Sequence, residues 1–490
     1  MPERRNVLLL IADDLGKQLS CYGEGGISTP NIDKLAEYGT RFEYAFASTA
    51  SCSGSRSVIY TGLHTHQNGQ YGLASHRHHF VTFDHVETLP HLLNQIGYRT
   101  GILGKIHVGP ASVYPWAEIK ESNTRDVAII ADQAKEFFQE SSKASDPFFL
   151  TIGFIDPHRD STRGGFGNDS AYDRRITQAD YNPKDIEVPS FINDTPGTRF
   201  ELSQYYNSIH RLDQGVGMTL AALDDAGLTD STLIIFISDN GPPFINSKTT
   251  LYDSGIQLPL VIRHPFKPLA VNSSMVSYVD ILPTILDYAG HPGVEDTSGK
   301  RTGRSLLTIL GKTTDLSGFD HVFGSHTFHE VTNYWPTRFI RDRRYKYHRN
   351  IAWRLDFPFA ADLYGSLSWE DIRNSTEKDI TIGDRKLRDY FFRPPEELYD
   401  LESDPNEVKN LAHSPSYASV LESLRSKLEA WQRRTEDPWL CRDGVSLWFI
   451  RHHLAAGLKV PDRFDLDIGS IGNEEGDSYE ERKWGKESKN

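Results

Sequence analysis

Two short runs of the chain are apolar almost without interruption: Val7-Leu8-Leu9-Leu10-Ile11-Ala12 and Leu233-Ile234-Ile235-Phe236-Ile237-Ser238. Phe148-Phe149-Leu150-Thr151-Ile152-Gly153-Phe154 and Leu258-Pro259-Leu260-Val261-Ile262 read the same way. Runs lacking polar alternation fit strands covered on both faces, as in parallel sheets. The stretches between them predict helices over Asn31–Tyr38, Leu89–Ile96, Val127–Glu140 and Leu202–Ala226. Strands alternating with helices imply an α/β sandwich with helices on both faces. Ligands bind such sheets at the carboxyl ends of the strands, so polar residues there carry the most weight.

Beyond about residue 315 the pattern changes. Phe339–Asp342 and Tyr345–His348 predict a hairpin around Arg343-Arg344, and Glu397–Leu401 leads into a turn at Asp404-Pro405-Asn406. A helix is expected from Ser419 to Arg433, with Leu421, Leu424, Leu428 and Trp431 on one face. The expected division is therefore 1–315, a smaller antiparallel α+β domain over 316–445, and a charged, at most partly ordered tail over 446–490.

Composition narrows the function classes. The 490 residues carry 67 acidic and 53 basic side chains, a net charge of −14, with 38% hydrophobic residues. That supports a sizeable core and excludes a mainly disordered chain. An acidic balance also argues against a nucleic-acid partner. Three cysteines, Cys21, Cys52 and Cys441, are too few for a disulfide framework. No stretch reaches membrane-spanning length, and the run Val7–Ala12 is too short for a signal-peptide core. The expectation is a cytoplasmic protein with no membrane partner.

Asp13-Asp14 and Asp239-Asn240 each come directly after one of the two apolar strands. Singly, such a pair reads as a cap or a solvated turn. Together, if both strands are central and parallel, they converge on one edge of the sheet as oxygen donors suited to a hard cation such as Ca²⁺ or Mg²⁺. In Ser51-Cys52-Ser53-Gly54-Ser55-Arg56, small polar residues surround a cysteine, with an arginine one helical turn on. If Ser53–Tyr60 is helical, its N-terminus and Arg56 both favour an anion at Cys52. Lys105 and His107 fall on the same side of an extended segment, His158 follows the strand Phe148–Phe154, and Lys248 lies in the loop after Asn240. Cys21 and Cys441 read as inert packing residues.

These motifs, in this order, resemble the type I sulfatases of the alkaline phosphatase superfamily. The resemblance runs from about Asn6 to Trp439 and includes Ser28-Thr29-Pro30-Asn31-Ile32-Asp33, Thr61-Gly62 and Glu397-Leu398-Tyr399-Asp400. Within the family it is closest to the heparan N-sulfatase (sulfamidase) branch. That likeness lies in His66-Gln67-Asn68-Gly69, Tyr71-Gly72-Leu73, Lys105–Pro110, Asp213–Gly217, Phe323–His326, His329–Thr332 and Asp437-Pro438-Trp439. The resemblance implies a large mixed, mostly parallel sheet sandwiched by helices and a smaller C-terminal antiparallel sheet packed by a helix. It implies that Cys52 is converted to formylglycine by a formylglycine-generating enzyme, and that the hydrate supplies an oxygen nucleophile. Asp13, Asp14, Asp239 and Asn240 would hold Ca²⁺, or Mg²⁺ or Mn²⁺, together with position 52. Arg56 would orient the hydrate, Lys105, His107, His158 and Lys248 would bind sulfate, His158 or Lys248 would protonate the leaving group, and His107 would assist sulfate release.

The expected substrate is a small sulfate ester or sulfamate, on a sulfated sugar or an aryl or alkyl group. A homodimer would suit the chain. One departure from the family pattern is Gly54, where proline, less often alanine, is usual. Two alternatives remain: a phosphodiester or phosphonate monoester hydrolase on the same metal site, and a non-catalytic binding protein with unmodified Cys52.

Overall fold

A computed structural model of the protein describes residues 5–292, 300–314, 317–377, 379–440 and 455–457. Eight strands form the main sheet: β1 (Asn6–Ala12), β2 (Thr40–Phe46), β3 (Arg99–Gly104), β4 (Glu118–Glu121), β5 (Phe148–Gly153), β6 (Thr232–Ser238), β7 (Gln257–Arg263) and β8 (Ala270–Ser277). Their order across the sheet is β4-β3-β5-β1-β6-β7-β2-β8. The alternation along β1 explains its lack of polar positions. Val7, Leu9 and Ile11 join one core, Leu8, Leu10 and Ala12 the other. Helices α2 (Cys52–Thr61) and α6 (Ile281–Ala289) cover the first face; α4 (Val127–Lys143) and α5 (Pro196–Asp225) cover the second. Helices α1 (Pro30–Glu37) and α3 (Leu89–Gln95) complete the labelled set around the main sheet.

Two expectations need correcting. The Leu258–Ile262 strand is buried as expected, but it runs antiparallel to both β6 and β2. An apolar run reports burial on both faces and says nothing of direction. A parallel return needs a long crossover, usually a helix. The 239–256 segment instead stays at the edge where β6 ends, carrying Asp239, Asn240 and Lys248 and one short helical turn, Asp253–Ile256, before β7 starts back from there. Helix α5 also begins six residues before the expected Leu202, because Thr195 caps it and Pro196 occupies its first turn.

The second sheet has the order β12-β11-β10-β9, all antiparallel, from β9 (His321–His326), β10 (Thr337–Asp342), β11 (Tyr345–Asn350) and β12 (Glu396–Asp400). Helix α7 (Ala418–Arg434) packs Leu421, Leu424, Leu428 and Trp431 against Ile340, Tyr347 and Leu398. The hairpin and the closing helix are thus where the hydrophobic pattern put them. Cys441 and nearly all of the 446–490 tail lie outside the described residues. No helix among the described residues is long and apolar enough to cross a membrane.

Register is what builds the site. Strands β3, β5, β1 and β6 run parallel side by side, with Ala12 opposite Ser238, Ile11 opposite Gly153, and Gly153 opposite Gly104. Their last residues are level, so whatever follows each strand emerges on one edge. The backbones crowd there: a Cβ on Gly153 would sit 2.2 Å from the Lys105 carbonyl oxygen and 2.9 Å from Arg56 Nη1. Gly153→Ala is therefore expected to cost about 1–3 kcal/mol of stability. Urea unfolding checks this, and an unchanged midpoint would contradict the close approach.

Candidate active site

Asp13 and Asp14 leave β1 into the space above the sheet, and both are fully buried. Asp14 takes a left-handed backbone (φ 61°) that turns its N–H onto Asp239 Oδ1 at 3.1 Å. Asp239 N–H continues the ladder onto the Ala12 carbonyl at 3.0 Å. Asn240 Nδ2 donates to Asp14 Oδ1 at 2.6 Å, and Tyr205 of α5 donates its hydroxyl to the Asp14 carbonyl at 3.0 Å. The two polar pairs therefore meet, as the sequence led us to expect. Burial, with Asp13 alongside, pushes the Asp239 carboxyl up to about 7.

Cys52 opens α2 behind the cap residue Ser51, with its sulfur 3.8 Å from Asp14 Oδ1. Burial raises its thiol well above the usual range. Arg56 lies one turn on, but its main partner is a carboxylate: Nε donates to Asp239 Oδ2 at 2.8 Å and Nη1 to the Lys105 carbonyl at 3.1 Å. Its Nη2 is buried without a hydrogen-bond partner. Gly54 has a packing reason, since a Cβ there would lie 3.0 Å from Thr49 Cγ2 and 3.3 Å from Thr65 Cγ2.

Lys105 follows β3 and its Nζ donates to Asp13 Oδ2. His107 does not continue an extended segment. Its φ of 56° is left-handed, turning the backbone, and its Nε2 lies 3.3 Å from Ser75 Oγ. Both residues still line one cavity, reached through a turn instead of a strand. Burial and Lys105 hold the His107 imidazole well below its usual pKa. His158 Nδ1 donates to the Arg159 carbonyl at 2.5 Å, which fixes the tautomer and leaves the Nε2 lone pair facing Lys248 Nζ at 3.2 Å. Lys248 Nζ also donates to Asp14 Oδ2 at 2.8 Å and to Asp362 Oδ2 at 2.7 Å.

These groups surround a cavity of about 1130 Å³, lined by Asp13, Cys52, Lys105, His107, His158, Lys248 and Asp362 among others. Asp13, Asp14, Cys52 and His158 each offer a ligand atom within 4.8 Å of the others'. Two buried oxygens, Asp13 Oδ1 and Asn240 Oδ1, have no hydrogen-bond donor. Unpartnered buried acceptors beside further carboxylates are what a hard cation requires, so the donor set fits a divalent ion. Both oxygens of Asp239 accept hydrogen bonds, as do both oxygens of Asp14.

The comparisons with known proteins decide the family. Residues 5–291 match the sulfatase family model. The chain belongs to the sulfatase family. It is 41% identical over 469 residues to human N-sulphoglucosamine sulphohydrolase, covering 90% of this chain and 92% of that protein. An ulvan-active sulfatase of Formosa agariphila is 30% identical, over 89% of this chain and 81% of its own. A solved structure in complex with its substrate D-glucosamine-2-N,6-O-disulfate superposes with a TM-score of 0.64 at 21% identity, covering 89% of this chain and 98% of that one. Phosphonate monoester hydrolase of Agrobacterium radiobacter shares the fold with a TM-score of 0.62 at 20% identity, over 89% and 97% of the two chains. The sulfatase is thus a hydrolase of sulfate esters or sulfamates on an alkaline phosphatase-like fold, as the motif order implied.

Every site residue expected from the sequence falls at this one sheet edge. Sequence reading missed Asp362 and His329, whose Nδ1 lies 2.9 Å from Ser51 Oγ. Both come from beyond residue 316, far from their partners in the chain, and neither sits in a strand-end motif. His329 was noted only as part of a family likeness. Cys21 is half-buried and its thiol is pushed up to about 12, in line with an inert residue. Inorganic sulfate is expected to inhibit competitively, and Lys105→Ala to weaken that inhibition about tenfold or more, the loss of a charged hydrogen bond. An unchanged inhibition constant would remove Lys105 from the anion pocket.

Proposed function

We propose that the sulfatase removes sulfate from the nitrogen of an N-sulfated amino sugar, using a Ca²⁺ ion and a formylglycine made from Cys52 by a formylglycine-generating enzyme. The 41% identity to N-sulphoglucosamine sulphohydrolase, extending over most of both chains, carries the substrate assignment. The cavity supports it, being far larger than a sulfate ion and lined by polar groups interleaved with apolar and aromatic ones.

Asp13, Asp14, Asp239 and Asn240 would hold the cation, with position 52 beside it. The two groups supply Lewis-acid polarisation of a sulfate oxygen and an oxygen nucleophile at position 52. The rest is done by this chain's own side chains. Arg56, one helical turn on from position 52 and with its Nη2 buried without a hydrogen-bond partner, would orient that position. Lys105 and Lys248 supply ammonium donors for sulfate oxygens, placed before the substrate arrives. Lys248 or His158 would protonate the departing atom, His158 only after its unprotonated Nε2 takes a proton from Lys248 Nζ, 3.2 Å away, since its Nδ1–H is held by the Arg159 carbonyl. His107, kept neutral by burial and by Lys105, can accept a proton while sulfate is released.

Charge supports a divalent ion at this point. With all four ionised, Asp13, Asp14, Asp239 and Asp362 outnumber Arg56, Lys105 and Lys248 and leave one negative charge in excess; burial and this crowding push the Asp239 carboxyl up. A divalent cation reverses that sign and makes the cavity attractive to an anion.

Two measurements on one sample test the reading. Turnover of N-sulfoglucosamine, an aryl sulfate and an aryl phosphate diester should rank the sulfamate first. Faster diester hydrolysis would favour the phosphodiesterase alternative. The peptide containing Cys52 should be lighter by about 18 Da than the unmodified sequence, since oxygen replaces sulfur with loss of hydrogen. Full activity from protein with wholly unmodified Cys52 would overturn the nucleophile and leave the metal donors standing.

A further inference from the structure

Asp362 faces the cavity and has no place in the metal set. It projects from the short turn Ala361–Tyr364, and its Oδ2 accepts from Lys248 Nζ at 2.7 Å and lies 4.0 Å from His158 Nε2. Its Oδ1 accepts from the adjacent Leu363 N–H at 2.9 Å. About a quarter of the side chain is exposed, on the cavity side.

A carboxylate has the wrong charge for an anion pocket. Beside Lys248 it weakens the attraction for sulfate, whose oxygens only accept hydrogen bonds. Its presence makes chemical sense if the substrate brings a donor to that spot. The atom on the organic side of the scissile bond can do so in one substrate class. A sulfamate nitrogen carries N–H, and the amine product is an ammonium ion at neutral pH. An ester oxygen carries no hydrogen, and its alcohol product is uncharged. Asp362 touches Lys248 and neighbours His158, the two groups assigned to protonate this atom, so it stands on the leaving-group side of the pocket.

We propose that Asp362 is a specificity-determining residue: its carboxylate accepts a hydrogen bond from the nitrogen at the leaving position and favours amine over alcohol products. This rests on the cavity assignment made above and names the residue that reads the nitrogen. A purely structural carboxylate, steadying Lys248, would act on every substrate alike.

The test uses the full-length enzyme, Asp362→Asn and Asp362→Glu. Affinities for glucosamine and for glucose, read by ligand-observed NMR, report nitrogen recognition without turnover. Wild type should bind glucosamine about tenfold more tightly than glucose, the worth of one charge-assisted hydrogen bond. Asp362→Asn should abolish that preference and Asp362→Glu retain part of it. In kinetics, Asp362→Asn should lower kcat/KM for N-sulfoglucosamine about tenfold more than for an aryl sulfate. Equal binding of the two sugars by wild type, or equal losses on both sugars or both substrates, would overturn the proposal. If wild type prefers glucosamine over glucose yet turns over the ester faster than the sulfamate, the N-sulfate reading fails and Asp362 keeps its role.

Discussion

The structure depends on opposite charges that are buried together. Arg56 with Asp239, Lys105 with Asp13 and Lys248 with Asp14 form three ion pairs at one edge of the sheet, each with its carboxylate fully buried. None of these charges is tolerable alone at that depth, and deleting one member of such a pair costs about 3–5 kcal/mol. The six residues are therefore mutually dependent, and the fold exists in large part to deliver them to one place. Of the four parallel strands ending level, β1 and β6 supply the aspartates and β3 supplies Lys105, while the first turns of α2 supply Cys52 and Arg56. The return loop from β6 to β7 supplies Asn240 and Lys248.

A second layer holds the loop that presents His158. Asp156 accepts hydrogen bonds from Arg125, from Ser208 and from both Nε and Nη2 of Arg211. Arg159 points away from the cavity and forms a two-pronged pair with Glu201 at 2.7 and 2.9 Å. Ser208, Arg211 and Glu201 all belong to α5, the same helix whose Tyr205 holds the backbone of Asp14. One long helix thus positions both the Asp14 side and the His158 side of the site. Such rigidity suits an enzyme whose donors must be aimed before substrate arrives.

Much of this was legible in the sequence because strand ends and buried apolar runs have local signatures. Asp13, Asp14, Asp239, Asn240 and Lys248 could be placed from the runs that precede them. The direction of β7 could not, since an apolar run has no polarity. The left-handed turn at His107 was hidden too, since a positive φ at a non-glycine residue leaves no local signature in the sequence. Asp362 left no trace, because its meaning lies in a contact with Lys248 that spans 114 positions. Some family-like motifs proved to be packing. Asp213 caps the start of α1 by accepting the N–H groups of Asn31 and Ile32, and a Cβ on Gly217 would strike the Asn31 side chain.

A hard cation completing the buried acidic edge would turn a cavity of excess negative charge into an anion site. A crystal structure of the enzyme grown with Ca²⁺, with the ion located by its anomalous signal, tests it most directly. One cation is expected there, contacted by Asp13 Oδ1 and Asn240 Oδ1 at about 2.3–2.6 Å. A structure in which those two oxygens instead accept hydrogen bonds from protein or water, with no cation between the two acidic pairs, would contradict it.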